Sequence, residues 1–257
     1  MTQSRPSREH GQLQKVALTT LKPLFSSLWR LRAVGVANIP KIGPAILAPN
    51  HTSVTDSFFL PALLPRRITF VGKAEYLDDW KTRRLFPALG MIPIDRSGGD
   101  ASTRALDTAA RLLEEGELFG IYPEGTRARD GYLHKGHTGA ARLSLRTGAP
   151  IVPVGILGTR TIQPPDAPYP RPFRPVEIRF GQPIQPAATS EISDTRLRLR
   201  QITDQLMFEI RALTGQDYVN SYATKGTQAA TETLEVTVDP GMPERRSSAD
   251  VLRPVAV

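Results

Sequence analysis

Through the middle of the chain, short apolar runs alternate with longer stretches in which apolar residues recur at helical spacing. Six runs predict buried strands: "AILA" (45–48), "ITFV" (68–71), "MIPI" (91–94), "LFGIY" (118–122), "IVPVGIL" (151–157) and "VEIRF" (176–180). Continuous apolar runs of this length are typical of strands that helices cover on both faces. The alternation of the two patterns therefore predicts an α/β fold.

Three segments have apolar side chains at helical spacing and a glycine at their end. They are residues 102–116, residues 136–148 and residues 191–214, which end at Gly116, Gly148 and Gly215. Glycine commonly ends a helix because it adopts the left-handed backbone conformation without a steric penalty. We expect the last of these helices to pack on the sheet.

The segment 13–32 also has helical spacing, with a bend expected at Pro23. Up to residue 32 the chain has six basic residues against one acidic residue, a net charge of +5. A basic helix with Trp29, Phe25 and Leu18 on its apolar face suits an anionic bilayer surface. The alternative is a helix that packs on its own domain, with its charges in solvent.

Two further segments have compositions that exclude helices. "TIQPPDAPYPRPFRP" (161–175) predicts a semi-rigid flap or rim, because each proline fixes its backbone. From about residue 220 the periodicity is lost, which indicates a disordered tail. We therefore predict three parts: a membrane-associating segment over 1–32, a catalytic domain over 33–219 and a tail over 220–257.

Composition narrows the classes of function. The 257 residues include no cysteine, which excludes disulfides, thiolate nucleophiles and cysteine-containing zinc sites. The net charge of +8 and the pI near 10.0 favour an anionic partner, such as nucleic acid, phospholipid or a phosphorylated substrate. No apolar stretch has the roughly 20 residues of a spanning helix, and the polar start is not a conventional signal peptide. We expect a cytosolic protein or one attached to a membrane from its cytosolic side.

The stretch "NHTSVTD" (50–56) contains the main catalytic candidates, His51 and Asp56. On a continuous helix these two residues would lie roughly 140° apart, so their side chains could not meet on one face. If His51 lies on the turn between a strand and a helix, Asp56 at the helix start can reach back to the imidazole. A histidine oriented in this way is the general base that acyl transfer requires. The alternative is an ordinary turn with capping residues.

Two other polar blocks follow predicted strands. Asp95 and Arg96 end "GMIPIDRS" (90–97), and Thr126 and Arg127 lie in "IYPEGTRARDG" (121–131). α/β proteins present polar groups to ligands at strand ends, and arginine matches phosphate oxygens with paired hydrogen bonds. Each block alone also fits a surface ion pair or a plain turn. His134 and His137 have no convincing third ligand, so a metal site is not expected.

Taken in order, "NHTSVTD", "GMIPIDR", "YPEGTR" and "IVPVGI" resemble the four sequence blocks of the glycerophospholipid acyltransferase family. The resemblance is to the type that acylates 1-acylglycerol 3-phosphate, and it spans about residues 35–185. Two positions depart from the usual pattern: Pro93 stands where an aromatic residue is common, and Tyr122 replaces a frequent phenylalanine. The resemblance implies a single domain with a mixed β-sheet flanked by helices, similar to glycerol-3-phosphate acyltransferase.

The resemblance also implies roles for particular residues. His51 would be the general base and Asp56 its orienting partner. Acceptor phosphate and glycerol would be bound by Arg96, Glu124, Gly125, Thr126 and Arg127, and Pro153 would shape the site. The acyl donor would be a thioester of coenzyme A or of acyl carrier protein, with no cofactor and no metal.

The expected partners are an anionic phospholipid surface, a lysophospholipid acceptor and the thioester, but no nucleic acid. Another acceptor, such as a glycolipid or an aminolipid, is the nearest alternative. A hydrolase or a non-catalytic binding module explains fewer of these residues.

Overall fold

Seven strands form one twisted sheet in a computed structural model that describes residues 23, 25–73, 90–94, 101–186 and 195–224. In sheet order the strands are β1 (Arg30–Val34), β8 (Pro175–Phe180), β7 (Ile151–Leu157), β2 (Ala45–Pro49), β5 (Leu118–Gly120), β3 (Ile68–Lys73) and β4 (Met91–Ile94). The last five run parallel to one another, whereas β8 pairs antiparallel with β7. β1 in turn runs parallel to β8, so the sheet is mixed, as expected.

Helices pack against both faces of this sheet. They are α1 (Asp56–Leu63), α2 (Ala101–Glu114), α3 (Gly139–Thr147), α4 (Thr159–Ile162) and α5 (Thr195–Thr214), with a short 3-10 turn at Val36–Asn38. α2, α3 and α5 match the three predicted helices. Gly116, Gly148 and Gly215 follow them with φ of 82°, 72° and 72°, as the predicted helix ends require.

β2 shows how one strand serves both layers of the core. Its side chains alternate: Ile46 and Ala48 pack with α2, α3 and α5, while Ala45 and Leu47 pack on the opposite face with α1 and the β1–β8 edge. All five residues of β2 are buried, which explains its continuous apolar sequence. The α/β prediction and the mixed single-domain sheet are therefore confirmed.

The topology places the loops that follow β2, β5 and β7 at the same end of the sheet. β2, β5 and β7 are parallel, so their carboxyl ends lie together. β8 runs the opposite way, and Leu157 at the end of β7 pairs with Glu177 near its start. The segments that enter β8 and β1 therefore lie at the same edge as those that leave β2 and β5.

The helix predicted over 13–32 ends earlier than expected. Residues 25–28 are helical, but Arg30–Val34 form β1, which pairs with β8. Trp29 is buried, and its ring meets Phe25 and Phe59 with centroids 5.7 and 5.2 Å apart. Phe25 and Trp29 therefore pack on their own domain. Apart from Pro23, the residues before 25 lie outside the described part of the chain.

Backbone contacts with the domain continue as far as Ser221. A small second sheet pairs β6 (Leu133–His134) with β9 (Tyr218–Val219), and the Lys135 N–H donates to the Ser221 carbonyl at 3.0 Å. The residues from 225 onward, where most of the predicted tail falls, lie outside the described residues. None of the described helices has the length and apolar character needed to span a bilayer.

Candidate active site

His51 lies two residues after β2, on the turn that leads into α1. Its Nδ1 is 2.9 Å from Oδ2 of Asp56, the first residue of α1. Asp56 is fully buried, whereas the His51 side chain is 15% exposed. The bend predicted between these residues is therefore present, and one side of the imidazole remains open.

The Asp56 carboxylate organises the whole turn. Besides the imidazole, its Oδ2 accepts the backbone N–H groups of Thr52 and Ser53, both at 2.9 Å. With Asp56 ionised, Nδ1–H donates to Oδ2 and Nε2 becomes the basic nitrogen. The turn therefore fixes both the position of the ring and its tautomer.

Asn50 joins this turn to the neighbouring strand. Its side chain accepts the Ile156 N–H at 2.7 Å and donates to the Ile156 carbonyl at 3.1 Å. It also donates to Oε1 of Gln216 at 2.9 Å. The sequence indicated only a turn residue at Asn50, because its partners lie far along the chain.

Glu124 is buried beneath the site, with only 1% of its surface exposed. Its Oε1 accepts the His51 N–H and its Oε2 accepts the His134 N–H, both at 3.0 Å. Burial raises the pKa of Glu124 from its ordinary value of 4.5 to about 7, and the two backbone hydrogen bonds act in the opposite direction. The carboxylate thus holds the backbone of His51. Any contribution of Glu124 to acceptor binding, as predicted, is therefore indirect and is transmitted through its hydrogen bond to the His51 backbone.

Tyr122 lies flat against the imidazole of His51. The ring centroids are 3.8 Å apart and the planes are inclined by 17°. The Tyr122 hydroxyl is 2.9 Å from Oγ of Ser57, the neighbour of Asp56. Burial raises the pKa of Tyr122 well above its ordinary value, so the phenol stays neutral. A tyrosine in this block was noted in the sequence, but nothing there indicated the stacking.

The loop after β5 approaches His51 directly. The Ala128 N–H donates to the His51 carbonyl at 2.7 Å, which holds Thr126 and Arg127 beside the His51–Asp56 turn. Gly125 has a φ of 73°, and a Cβ there would lie 3.1 Å from the His137 ring. The bend therefore requires glycine, and its place in the predicted site has a conformational reason.

This loop and the His51–Asp56 turn both contribute to the lining of a cleft. Its lining consists of Thr52, Ser53 and Val54, together with Arg127, Arg129 and residues 163–167 of the proline-rich segment. Arg129 pairs with Asp166 of that segment. Residues 163–167 thus form the rim that the sequence predicted. Two arginines and one aspartate line the cleft, so its net charge is positive and suits an anionic ligand.

Two of the predicted site residues remain, Arg96 and Pro153. Arg96 and Asp95 follow β4 but fall outside the described residues. Pro153 is buried within β7, pairs with Ala48, and accepts the Gly181 N–H through its carbonyl at 2.9 Å. An influence of Pro153 on the site would act through the strand that supports β2. The part predicted for these residues in acceptor binding stays a prediction.

A second histidine–aspartate pair, His134 and Asp130, supports the site from within the protein. His134 is buried, and its Nε2 lies 2.9 Å from Asp130 while its Nδ1 lies 3.2 Å from the Ser221 carbonyl. Both ring nitrogens are thus occupied within the protein. Among the described residues, no cluster of histidine and carboxylate side chains is arranged to hold a metal ion.

Comparison with known proteins gives concordant matches. A family model described as Acyltransferase matches residues 30–157. The 1-acyl-sn-glycerol-3-phosphate acyltransferase of Limnanthes douglasii is 34% identical over 141 residues, which cover 54% of this chain and 50% of that protein. The enzyme of the same name from Borreliella burgdorferi is 28% identical over 137 residues, covering 52% and 55%. The chain thus spans about half the length of the curated relatives it matches.

A solved structure shares the fold. The crystal structure of the 1-acyl-sn-glycerophosphate acyltransferase PlsC from Thermotoga maritima matches with a TM-score of 0.60 and 25% identity. The match covers 81% of this chain and 84% of that chain. The residues matched by the family model include the His51–Asp56 turn and the Glu124–Arg127 loop, and the solved acyltransferase shares the fold over most of both chains. This chain therefore belongs to the acyltransferase family.

Proposed function

We propose that the chain transfers a fatty acyl group from a thioester to a hydroxyl of a lysophospholipid. The observation that carries this proposal is the His51–Asp56 pair beside a cleft lined by Arg127 and Arg129. The acceptor that fits best is 1-acyl-sn-glycerol 3-phosphate, whose single phosphate suits the net positive charge of the cleft. The names of the relatives from Limnanthes douglasii, Borreliella burgdorferi and Thermotoga maritima support this choice.

The geometry suits base catalysis at His51. Nε2 takes the proton from the acceptor hydroxyl while the oxygen attacks the thioester carbonyl. The tetrahedral intermediate then collapses, the C–S bond breaks, and the imidazolium returns its proton to the leaving thiolate. Asp56 stabilises the imidazolium during these steps. The products are a diacyl phospholipid and a free thiol, and no acyl group rests on the protein.

Each residue around the base has a consistent part in this proposal. Tyr122 and Glu124 hold the ring and the backbone of His51, respectively. Arg127 attracts the acceptor phosphate, and Arg96, Gly125, Thr126 and Pro153 are proposed to complete or shape the acceptor site. The thiol carrier is coenzyme A or acyl carrier protein. A different lysolipid, a glycolipid or an aminolipid is the alternative acceptor.

The net charge of +8 fits an enzyme that works on anionic substrates at an anionic bilayer. We place it peripherally on the cytoplasmic side of the membrane, with the residues before 23 contributing to attachment. It uses no cofactor, and nucleic acid is not a partner in this proposal.

The decisive experiment measures thiol release from an acyl-coenzyme A with and without lysophosphatidic acid. The chain has no cysteine, so all released thiol comes from the donor. We expect acceptor-dependent release that falls by a factor of about 10² to 10⁴ in His51→Ala. His10→Ala, the same change at another histidine, serves as the control. Full release in His51→Ala would refute the mechanism, and release without acceptor would indicate a hydrolase.

Arg127→Ala separates acceptor binding from chemistry. Because Arg127 lines the cleft rather than contacting the imidazole, we expect a higher KM for lysophosphatidic acid with a smaller change in kcat. Titrations of the acceptor at saturating acyl-coenzyme A give both constants. An unchanged KM for the acceptor would remove Arg127 from the phosphate site.

A further inference from the structure

The proline-rich segment carries four exposed side chains, of which two are aromatic and two are arginines. Tyr169 and Phe173 are 78% and 68% exposed, and Arg171 and Arg174 beside them are exposed as well. We call these four residues the loop patch. Large aromatic rings are normally buried or paired in water-soluble domains. Two of them within five residues, alternating with arginines, indicate a surface that meets a partner.

The loop patch is held in a defined conformation. The Phe173 N–H donates to the Leu28 carbonyl at 2.6 Å, and the Trp29 indole N–H donates to the Arg171 carbonyl at 2.8 Å. Six prolines between residues 164 and 175 restrict the backbone further. Phe173 has a φ of 61°, a left-handed conformation that is unfavourable for an aromatic residue. The fold thus maintains a strained backbone that directs an apolar ring into solvent.

The sheet topology places the loop patch next to the active site. The loop enters β8 at Pro175, which pairs with Arg30 of β1, at the edge where β2 and β7 end. Residues 163–167 of the same segment line the cleft together with Thr52–Val54. A surface that docks on the loop patch therefore lies beside the opening to His51.

The charge around the loop patch is positive. Arg30 adds a third exposed arginine, and Arg32 is 72% exposed, 3.4 Å from Glu177. The exposed acid of the segment, Asp166, is paired with Arg129. Arginine and aromatic side chains together suit the boundary of a bilayer, because rings insert at headgroup level while guanidinium groups bind phosphates.

We propose that the loop patch docks on anionic phospholipid bilayers, with Tyr169 and Phe173 inserted among the headgroups. The proposal deepens the proposed function and rests on it for the origin of the acceptor, which would enter the cleft from the bilayer beside it. It assigns a second membrane contact, within the catalytic domain, separate from the segment before residue 23.

A fluorophore that senses polarity tests this contact directly. Since the chain has no cysteine, Phe173→Cys provides a single labelling site, and Phe208→Cys on α5, where Phe208 is 65% exposed, is the matched control. On vesicles of phosphatidylglycerol and phosphatidylcholine we expect a blue shift and a severalfold rise in emission at 173 but not at 208. Pure phosphatidylcholine vesicles are expected to give a smaller response at 173.

The arginines are tested in the unlabelled full chain. Arg171→Gln with Arg174→Gln is expected to raise the lipid concentration for half-maximal vesicle binding by about fivefold per arginine at low salt. Arg211→Gln on α5 is the control. An unchanged emission at 173 on vesicles, an equal response at 208, or full binding by the double variant would each overturn the proposal. Acyl transfer to detergent-dispersed acceptor does not require docking, so its presence or absence reports on the proposed function alone.

Discussion

The imidazole of His51 has three separate restraints at the level of single residues. Asp56 fixes the edge of the ring, Tyr122 fixes its face, and Glu124 fixes the backbone that carries it. Asp56 belongs to the turn that carries His51, whereas Tyr122 and Glu124 both belong to the segment that follows β5. A base held on all these sides loses little freedom when it binds the acceptor, which favours reaction.

Tyr122 offers the first test of this arrangement. Tyr122→Phe keeps the stacked ring but removes the hydrogen bond to Ser57, which is worth about 1 kcal/mol, so we expect kcat to fall about fivefold. Tyr122→Leu also removes the stacking and is expected to lower kcat by about a further tenfold, with a smaller effect on KM. Steady-state kinetics on both substrates give these values.

Ser57→Ala is the matched control, because it removes the same hydrogen bond from the other side. Its kcat should agree with that of Tyr122→Phe. If Tyr122→Leu retained the wild-type kcat, the stacked ring would have no part in positioning His51.

The raised pKa of Glu124 predicts that the stability of the fold depends on pH. The pKa of Glu124 is about 7 in the folded chain and 4.5 ordinarily. Between these pH values the folded chain therefore holds a proton on Glu124 that the unfolded chain has lost. The free energy of unfolding contributed by this group therefore falls as the pH rises from 4.5 to about 7, by up to about 1.4 kcal/mol per pH unit. Glu124→Gln is expected to flatten this dependence.

Urea unfolding at pH 5, 6, 7 and 8 measures the effect. Glu115→Gln, at an exposed position, should leave the wild-type profile unchanged. Parallel profiles for wild type and Glu124→Gln would show that Glu124 does not titrate in this range.

At the level of secondary structure elements, the amino-terminal region is divided between two roles. Phe25 and Trp29 pack against Phe59 of α1, and Arg30–Val34 form the edge strand of the sheet. The earlier residues keep their predicted role in membrane attachment. A deletion that tests this role must therefore end before residue 23.

Two deletions distinguish these roles. Removing residues 1–22 is expected to leave the melting temperature nearly unchanged and to weaken flotation with anionic vesicles. Removing residues 1–32 deletes Trp29 and most of β1, and loss of a buried tryptophan alone costs about 3–5 kcal/mol, so we expect a severely destabilised chain. Thermal melts followed by circular dichroism compare the two. Equal melting temperatures would show that Trp29 and β1 add little to stability.

For the whole molecule, the net charge of +8 predicts that membrane attachment depends on salt. The Debye length falls from about 10 Å at 0.1 M to about 3 Å at 1 M, so exposed arginines lose their long-range attraction to the bilayer. We expect binding to phosphatidylglycerol vesicles to weaken at least tenfold over this range, measured by co-sedimentation. Salt-independent binding would mean that apolar insertion alone holds the protein on the bilayer.

The sequence alone determined most of the elements and identified His51 and Asp56 as the candidate catalytic pair. Apolar runs and helical spacing are local properties, so they predicted six of the seven strands of the central sheet and the ends of three helices. The five-residue interval from His51 to Asp56 is also local, because one turn of chain connects the two side chains.

Only the tertiary structure decided which distant residues support and surround that pair. Asn50 and Ile156 lie 106 residues apart, and Glu124 lies 73 residues after His51. Pairing of parallel strands brings these groups together, and no local pattern encodes such a pairing. The same applies to β1, whose short sequence resembles the end of a helix until β8 provides its hydrogen-bonding partner.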